Sequence, residues 1–377
     1  MTIRAHLPVS PSPRLSLSLF LSLLLPVAAA LPAFPGAEGA GMFTTGGRGG
    51  EVFIVTNLNA SGPGSLADAV GAPNRIVVFA VSGIIDLARD GQGGRILVAQ
   101  PNITIAGQTA PGEGICLRGG ALSVKSGNIV VRHLRSRRGY IAEGEMGDSI
   151  SVKPNAIGEK KDAGGRTAED FEKIRIKKIE RGRQVSEFAD IDNILIDHCS
   201  ASWATDENLT VTHAGRSTIS WCIAAEGLDY ANPNQTPPRH SEGGLWGSAA
   251  SDGRSTLHHV LYAHNRLRNP RTTGGDDVPP VLTLYNNVVY NWSENASHTG
   301  SQRVFVQWLG NIYRPGPDTP AGIRAIGFQF HGDPQARVFA QGNFLDGSPA
   351  ATADNRLAVG YAPKLKRLTA DEKSAMI

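Results

Sequence analysis

One turn position recurs through the second half of this chain, and it restricts the available folds more than any other feature. Asn-Ile-Leu-Ile-Asp-His-Cys199 aligns with Ser-Thr-Ile-Ser-Trp-Cys222, and then with Tyr-Ala-His-Asn265, Leu-Tyr-Asn-Asn287, Trp-Leu-Gly-Asn311 and Ala-Gln-Gly-Asn343. Where no insertion intervenes the spacing is roughly 22–24 residues, a period expected of solenoid repeats. Asparagine tolerates left-handed backbone and can hydrogen-bond to a like neighbour stacked above it. A column of Asn, with Cys199 and Cys222 at two of its levels, would line one corner of a coil of parallel strands. The pattern predicts an all-β fold, a single-stranded parallel β-helix.

The segments before the repeats agree. Glu51 to Asn57 alternates as a strand. From Arg75 onward short strands such as Ile76–Ala80, Ile103–Ala106, Ile115–Arg118 and Leu122–Lys125 are separated by Gly, Asn or Pro, which leaves no room for the helices of βαβ units. Ser65-Leu66-Ala67-Asp68 reads as a capping box that opens a short helix, placed to cover the exposed end of a sheet core. The glycine-rich stretch Gly46-Gly47-Arg48-Gly49-Gly50 is followed by a strand and by no Gly-Lys-Ser/Thr, so it reads as a close-packed turn rather than a phosphate cradle. Residues 155–190 break the repeat with a dense run of charge and read as a surface insertion. The coil is expected over residues 34–363, and residues 364–377 read as a polar tail.

Residues 1–33 have the composition of a secretory signal. Arg4 and Arg14 precede an apolar run closed by Pro26, and Ala28-Ala29-Ala30 supplies small residues for cleavage. The expected location is therefore secreted, or periplasmic in a Gram-negative host. The formal net charge of +3 includes two leader arginines, and the balance gives no case for nucleic acid or membrane as partner. Three cysteines in 377 residues form no disulfide framework, and their spacing matches no zinc site. Cys199 and Cys222 read as small apolar members of the stack, with a disulfide between them left open. Most of the tryptophans read as core or rim, with a sugar platform the other use for Trp203. His258, His259 and His264 crowd one level and read as core or ladder residues. His298 and His331 carry no signal.

Chemistry is expected where three stretches meet on one face. Gly147-Asp148-Ser149 and Ser202-Trp203-Ala204-Thr205-Asp206-Glu207 each put acids just before a short strand, and Ala263–Gly275 carries Arg266, Arg268 and Arg271 around Pro270. In an extended segment Arg266 and Arg268 would point the same way. Stacked strands lie roughly 4.8 Å apart, so acids distant in sequence can share a hard cation, and carboxylates suit Ca²⁺. A cationic cluster beside them suits an anionic polymer.

At these residues the chain resembles the pectate lyases of polysaccharide lyase family 1. The likeness covers nearly all of residues 34–345. It is carried by Phe34–Gly41, Gly62-Pro-Gly-Ser-Leu66, Ile105-Ala-Gly-Gln-Thr-Ala-Pro-Gly112, Ile196-Asp-His198, Ser202-Trp203 with Asp206-Glu207, Arg268-Asn-Pro-Arg271 and Tyr285-Asn-Asn-Val-Val-Tyr-Asn-Trp292. The resemblance implies a right-handed coil and Ca²⁺-dependent cleavage of polygalacturonate, an acidic polysaccharide, by β-elimination; a monomer is expected. It places the catalytic base on Arg268 and the calcium aspartates on Asp148 and Asp206. Three family positions differ here. A second aspartate falls on Thr210, with Glu207 the substitute. A second arginine falls near Thr273, leaving Arg271. A lysine is replaced in the region of His240, Ser241 and Glu242. Arg266, His240 and Trp203 are then the expected substrate contacts.

An arginine that accepts a proton has to be forced toward neutrality by burial and adjacent positive charge, so an alkaline optimum is expected. The alternatives are a calcium-independent lyase acting on methylated pectin, a non-catalytic β-helix that binds cell-wall glycan, and a glycoside hydrolase. The last would need paired carboxylates flanking the bond, and Asp276-Asp277, in a Gly/Pro loop, is the only adjacent pair of aspartates.

Overall fold

The computed structural model describes residues 30–88, 94–141, 147–154, 191–231, 239–247, 253–274, 279–300, 302–321 and 327–377. Residues 1–29 of the leader and the charged stretch 155–190 lie outside the described residues, as does Asp276-Asp277. From Pro32 onward the chain forms one compact unit. Its strands assemble, all in parallel, into three sheets of ten, nine and nine strands among the described residues. The chain visits the three sheets in turn. Ile191–Asp197 lies in the first, Ser200–Ser202 in the second and Leu209–Thr212 in the third, and the next circuit lays Ala214–Ser220, Ile223–Ala225 and Leu245–Gly247 on the same three. This is the expected right-handed parallel β-helix.

Every strand is short because each side of the cross-section is short, and the alternation of side chains decides what fills the coil. On the third sheet Val98, Val124, Val152, Val211 and Trp246 occupy one register position on successive levels. All five are buried. Trp292 and Trp308 join this core, while Trp203 and Trp221 are exposed. The intervening outward column of the third sheet runs Leu97, Ser123, Ser151 and Thr210. It continues at Leu245 with Arg271, His298 and Gln329. That column underlies the site described below.

The asparagine column exists, with one member displaced. Asn287 Nδ2 donates to Asn311 Oδ1 at 2.8 Å, and Asn311 Nδ2 donates to Asn343 Oδ1 at 2.9 Å. The backbone N–H of each lower residue donates to the same oxygen, and Asn355 ends the series. At the level where Asn265 was aligned, the column holds Val260, whose N–H donates to Asn287 Oδ1. Asn265 lies at a different corner, bonded to Asn208 and Asn269. The two corners share turn chemistry, which is why sequence alignment merges them. Cys199 and Cys222 are free and buried, joined by a hydrogen bond from Cys199 N to Cys222 Sγ at 3.4 Å.

Asn311→Leu preserves volume and removes four hydrogen bonds, leaving Leu284 O and Asn287 N without their Asn311 partner and Asn343 Oδ1 with the Asn311 backbone N–H alone. Each buried group left unpaired costs about 1–3 kcal/mol. Chemical denaturation should therefore show a loss of about 3 kcal/mol or more, and a loss below about 1 kcal/mol would deny the ladder its role.

Both ends of the coil are covered. Leu66–Ala69 forms the short helix, with Ser65 accepting from Asp68 N, and Leu66 and Ala69 are buried. The glycine-rich turn packs so closely on the strand after Asn74 that a Cβ at Gly47 would lie 1.9 Å from Arg75 O. At the other end residues 364–377, read from sequence as a polar tail, fold back. Ala370–Ser374 is helical behind a Thr369/Glu372 capping box. Met376 is fully buried, and its carbonyl accepts from Val338 N, on the last strand of the first sheet. An edge that would otherwise present unpaired backbone is closed. Among the described residues no helix is long and apolar enough to cross a membrane.

Left-handed turn residues between the first and second sheets carry a stack of rings: His133, His198, Trp221 and His259. Beside it His258 is buried, stacked on Tyr285 at 4.8 Å, with Nδ1 2.9 Å from His259 Nδ1. Burial, and then the His259 charge, push its imidazole down to about 4. The unfolded chain then holds one more proton than the folded chain between that value and the ordinary 6.5. Stability should fall on acidification through this window, by an amount on the order of 1–3 kcal/mol. The difference between wild-type and His258→Phe melting curves from neutral to acid pH isolates the effect; parallel curves would refute it.

Candidate active site

The acids come together because two turns on successive levels lock to each other. The turn after Ser200–Ser202 leads into Leu209–Thr212. Along it Asp206 N donates to Gly147 O at 3.2 Å and Glu207 N donates to Asp148 Oδ1 at 3.3 Å, while Ser149 N returns a bond to Glu207 O at 3.1 Å. Isolated parallel bridges then join Glu207 to Glu242 and Glu242 to Leu267. The arginine stretch thus sits one level beyond Glu242. Asp148, Asp206 and Glu207 offer oxygens that all lie within 4.8 Å of one another, and Asp206, His240 and Glu242 form a second, overlapping group.

The arginines do not lie on a plain extended strand. Arg268 has φ 59°, in the left-handed region, just before a cis Asn269–Pro270 bond. Arg271–Thr273 then enters the third sheet. The Arg268 guanidinium pairs with both Glu207 and Glu242. Arg266 pairs with Glu294 and lies 3.8 Å from Glu242. His240 Nε2 sits 2.6 Å from Asp206 Oδ1 and 3.5 Å from Glu242 Oε1. Arg266, Arg268, Arg271, His240, Glu242, Glu294 and His298 line one cleft of about 370 Å³.

Burial, and then the charge of Asp206, hold Asp148 above the ordinary carboxylate range. Burial, with Asp148 and Asp206 adding to it, raises Glu207 further. Asp206 is different: burial is the largest influence and opposes its ionisation, but the hydrogen bonds from His240 and Glu207 and the charges of His240 and Arg268 together bring it below its usual value. These are hard oxygen donors crowded by mutual repulsion, a set that suits a divalent cation of the calcium type.

Arg268 overturns one expectation. Burial works against its charge, yet Glu207 and Glu242 more than compensate and hold the proton more tightly than usual. The expected push toward neutrality falls on Arg271, which burial and then the charge of Arg268 both lower. In the sequence Glu242 stands out only as a neighbour of the position where the family's lysine is absent. Its partnership with Arg268 needs the turn register, which no local pattern encodes.

Of the residues singled out from sequence, Asp148, Asp206, Glu207, His240, Arg266, Arg268 and Arg271 converge. Trp203 does not line the cleft. It is exposed at its turn, its Nε1 donating to Glu226 Oε2 at 2.9 Å. Glu294, His298 and His331 line the cleft without any sequence signal, because single polar residues on short strands look like ordinary surface.

Fold and cleft together define a parallel β-helix protein with a charged groove along one sheet. By sequence the chain is a homologue of proteins named probable pectate lyase C. It is 37% identical over 314 residues to the one from Aspergillus flavus, covering 81% of this chain and 60% of that protein. It is 35% identical over 326 residues to the one from Aspergillus terreus, covering 85% and 63%. The chain thus spans 60–63% of the length of these relatives. No family model matches it. The fold is shared with solved pectate lyases. One bound to a hexasaccharide superposes with a TM-score of 0.54 at 15% identity, covering 92% of this chain and 95% of that one. A Bacillus subtilis pectate lyase mutant superposes with a TM-score of 0.52 at 15% identity, covering 88% and 91%.

Proposed function

We propose that this chain is an exported pectate lyase that cleaves (1→4)-α-D-galacturonan by calcium-dependent β-elimination, leaving 4,5-unsaturated oligogalacturonides. The observation that carries the reading is the cluster of Asp148, Asp206 and Glu207 joined through Glu207 to Arg268, which lines the cleft with Arg271, in a chain homologous to proteins named for that activity. Export rests on the composition of residues 1–33.

Asp148, Asp206 and Glu207 would hold the cation, which when bound supplies Lewis-acid stabilisation to a uronate carboxylate. The protein's own residues do the rest. Arg271, on the cleft floor, steadies the negative charge that builds on that carboxylate as the neighbouring C5–H is broken. Arg268 would accept the C5 proton, a role that requires a cation on Asp148, Asp206 and Glu207 to offset the carboxylate charge that otherwise keeps its guanidinium protonated. Electrons from the C5–H bond form the C4=C5 double bond, and the C4 oxygen leaves with its pair and takes a proton from water. Glu207 and Glu242 fix the guanidinium from two sides, and His240 holds Asp206 in its ionised form.

Polygalacturonate incubated with the protein and calcium should develop the ultraviolet band of a conjugated unsaturated uronide, and a chelator should stop it. New reducing ends without that band would point to hydrolysis. Binding without cleavage would point to a non-catalytic glycan-binding coil. Chelator-insensitive cleavage of methylated pectin would point to the calcium-independent lyase.

A further inference from the structure

Beyond Arg271 the outward column of the third sheet continues with His298 on the next level and Gln329 on the one after. An outward side chain on such a sheet is ordinarily wet. His298 is 3% exposed, because the walls of the cleft rise around it. Its ring packs against His331 with centroids 4.7 Å apart, and His331 Nε2 in turn meets Gln329 Oε1 at 3.2 Å. Its Nδ1 is buried and has no hydrogen-bond partner among the described residues. Burying a polar atom unpaired is costly unless something bound completes it.

We propose that His298, fixed by His331, is a substrate-contact residue whose imidazole hydrogen-bonds an uncharged oxygen of the glycan unit lying one level beyond Arg271. The inference rests on the lyase reading and extends it to a subsite that no motif assigns. The chemistry of the neighbours selects an uncharged oxygen rather than a carboxylate. Burial, followed by the charges of His331, Arg271 and Arg268, holds the His298 imidazole well below its ordinary value. A neutral ring donates one hydrogen bond and accepts one, which matches a hydroxyl or an ester carbonyl and gives a carboxylate no counter-charge. Arg268 and Arg271 already supply the positive charge in this cleft.

The experiment compares His298→Phe, which keeps a flat ring against His331 and removes both nitrogens, with His298→Gln, which restores a hydrogen-bonding group. KM and kcat are measured on polygalacturonate and on methyl-esterified pectin by formation of the unsaturated product. His298→Phe should raise KM about tenfold, the size of one lost hydrogen bond. KM should change by a larger factor than kcat, and His298→Gln should recover most of the difference. A hydroxyl contact raises KM on both substrates, and an ester contact raises it on the esterified one alone. Should His298→Phe not fold, His331→Ala, which removes the ring that fixes His298, carries the same test. KM unchanged on both substrates, with wild-type cleavage intact, overturns the assignment of His298 only. A wild-type protein that makes no unsaturated product from either substrate overturns the lyase reading beneath it.

Discussion

Arg268→Lys should lower kcat/KM on polygalacturonate by about 10²–10⁴-fold, the usual loss when a general base is removed, while the melting temperature stays within a few degrees of wild type. The variant is chosen for what it keeps. Arg268 is half-buried between Glu207 and Glu242, both held above the ordinary carboxylate range by burial. Deleting the cation altogether would strand two buried acids at a cost of about 3–5 kcal/mol, and lost activity would then report lost structure. Lysine retains the charge. It lacks the planar fork that reaches two carboxylates at once. Activity within about tenfold of wild type in Arg268→Lys would remove Arg268 from the role of base. Arg271→Lys serves as the internal comparison. Its part is to steady charge, which an ammonium does less well but still does, so its loss should be the smaller of the two.

Calcium should raise the thermal stability of the wild-type protein, and Asp148→Asn should abolish that rise. A ligand that binds only the folded state at a hundred times its dissociation constant adds about 2.7 kcal/mol. The sign in the absence of calcium is what separates a metal site from a structural acid cluster. Burial and the charge of Asp206 raise Asp148 above the ordinary carboxylate range, so its ionised form is a net cost to the empty fold at neutral pH. Asp148→Asn should therefore melt at or above the wild-type temperature without calcium, and below wild type with it. A variant that melts lower in both conditions would mark Asp148 as a structural residue. A calcium shift that survives the substitution would place the ion elsewhere.

What was legible in the sequence follows from how each part of this molecule is encoded. The coil was readable because its period is written in turn residues, and a ladder such as Asn287, Asn311 and Asn343 must use the same side chain at each level. The same economy misled at Asn265, whose neighbours Asn208 and Asn269 form a second ladder at another corner. The acids and arginines were found through short motifs that keep their local spacing. The electrostatics were not. Whether Arg268 is pressed toward neutrality or held as a cation depends on Glu242, 26 residues away in sequence and one bridge away in space. His298 was silent for a related reason. On a strand of three residues no periodicity marks a side chain as facing a cleft rather than solvent, and only the register with Arg271 reveals it.

The most direct measurement digests polygalacturonate in water enriched in heavy oxygen, with calcium present, and weighs the fragments. Elimination breaks the bond without consuming water. The prediction is fragments with an unsaturated terminal unit, absorbing in the ultraviolet and carrying no heavy oxygen at the freshly cut ends after correction for exchange. Heavy oxygen incorporated on cleavage, with no unsaturated unit formed, would contradict the account.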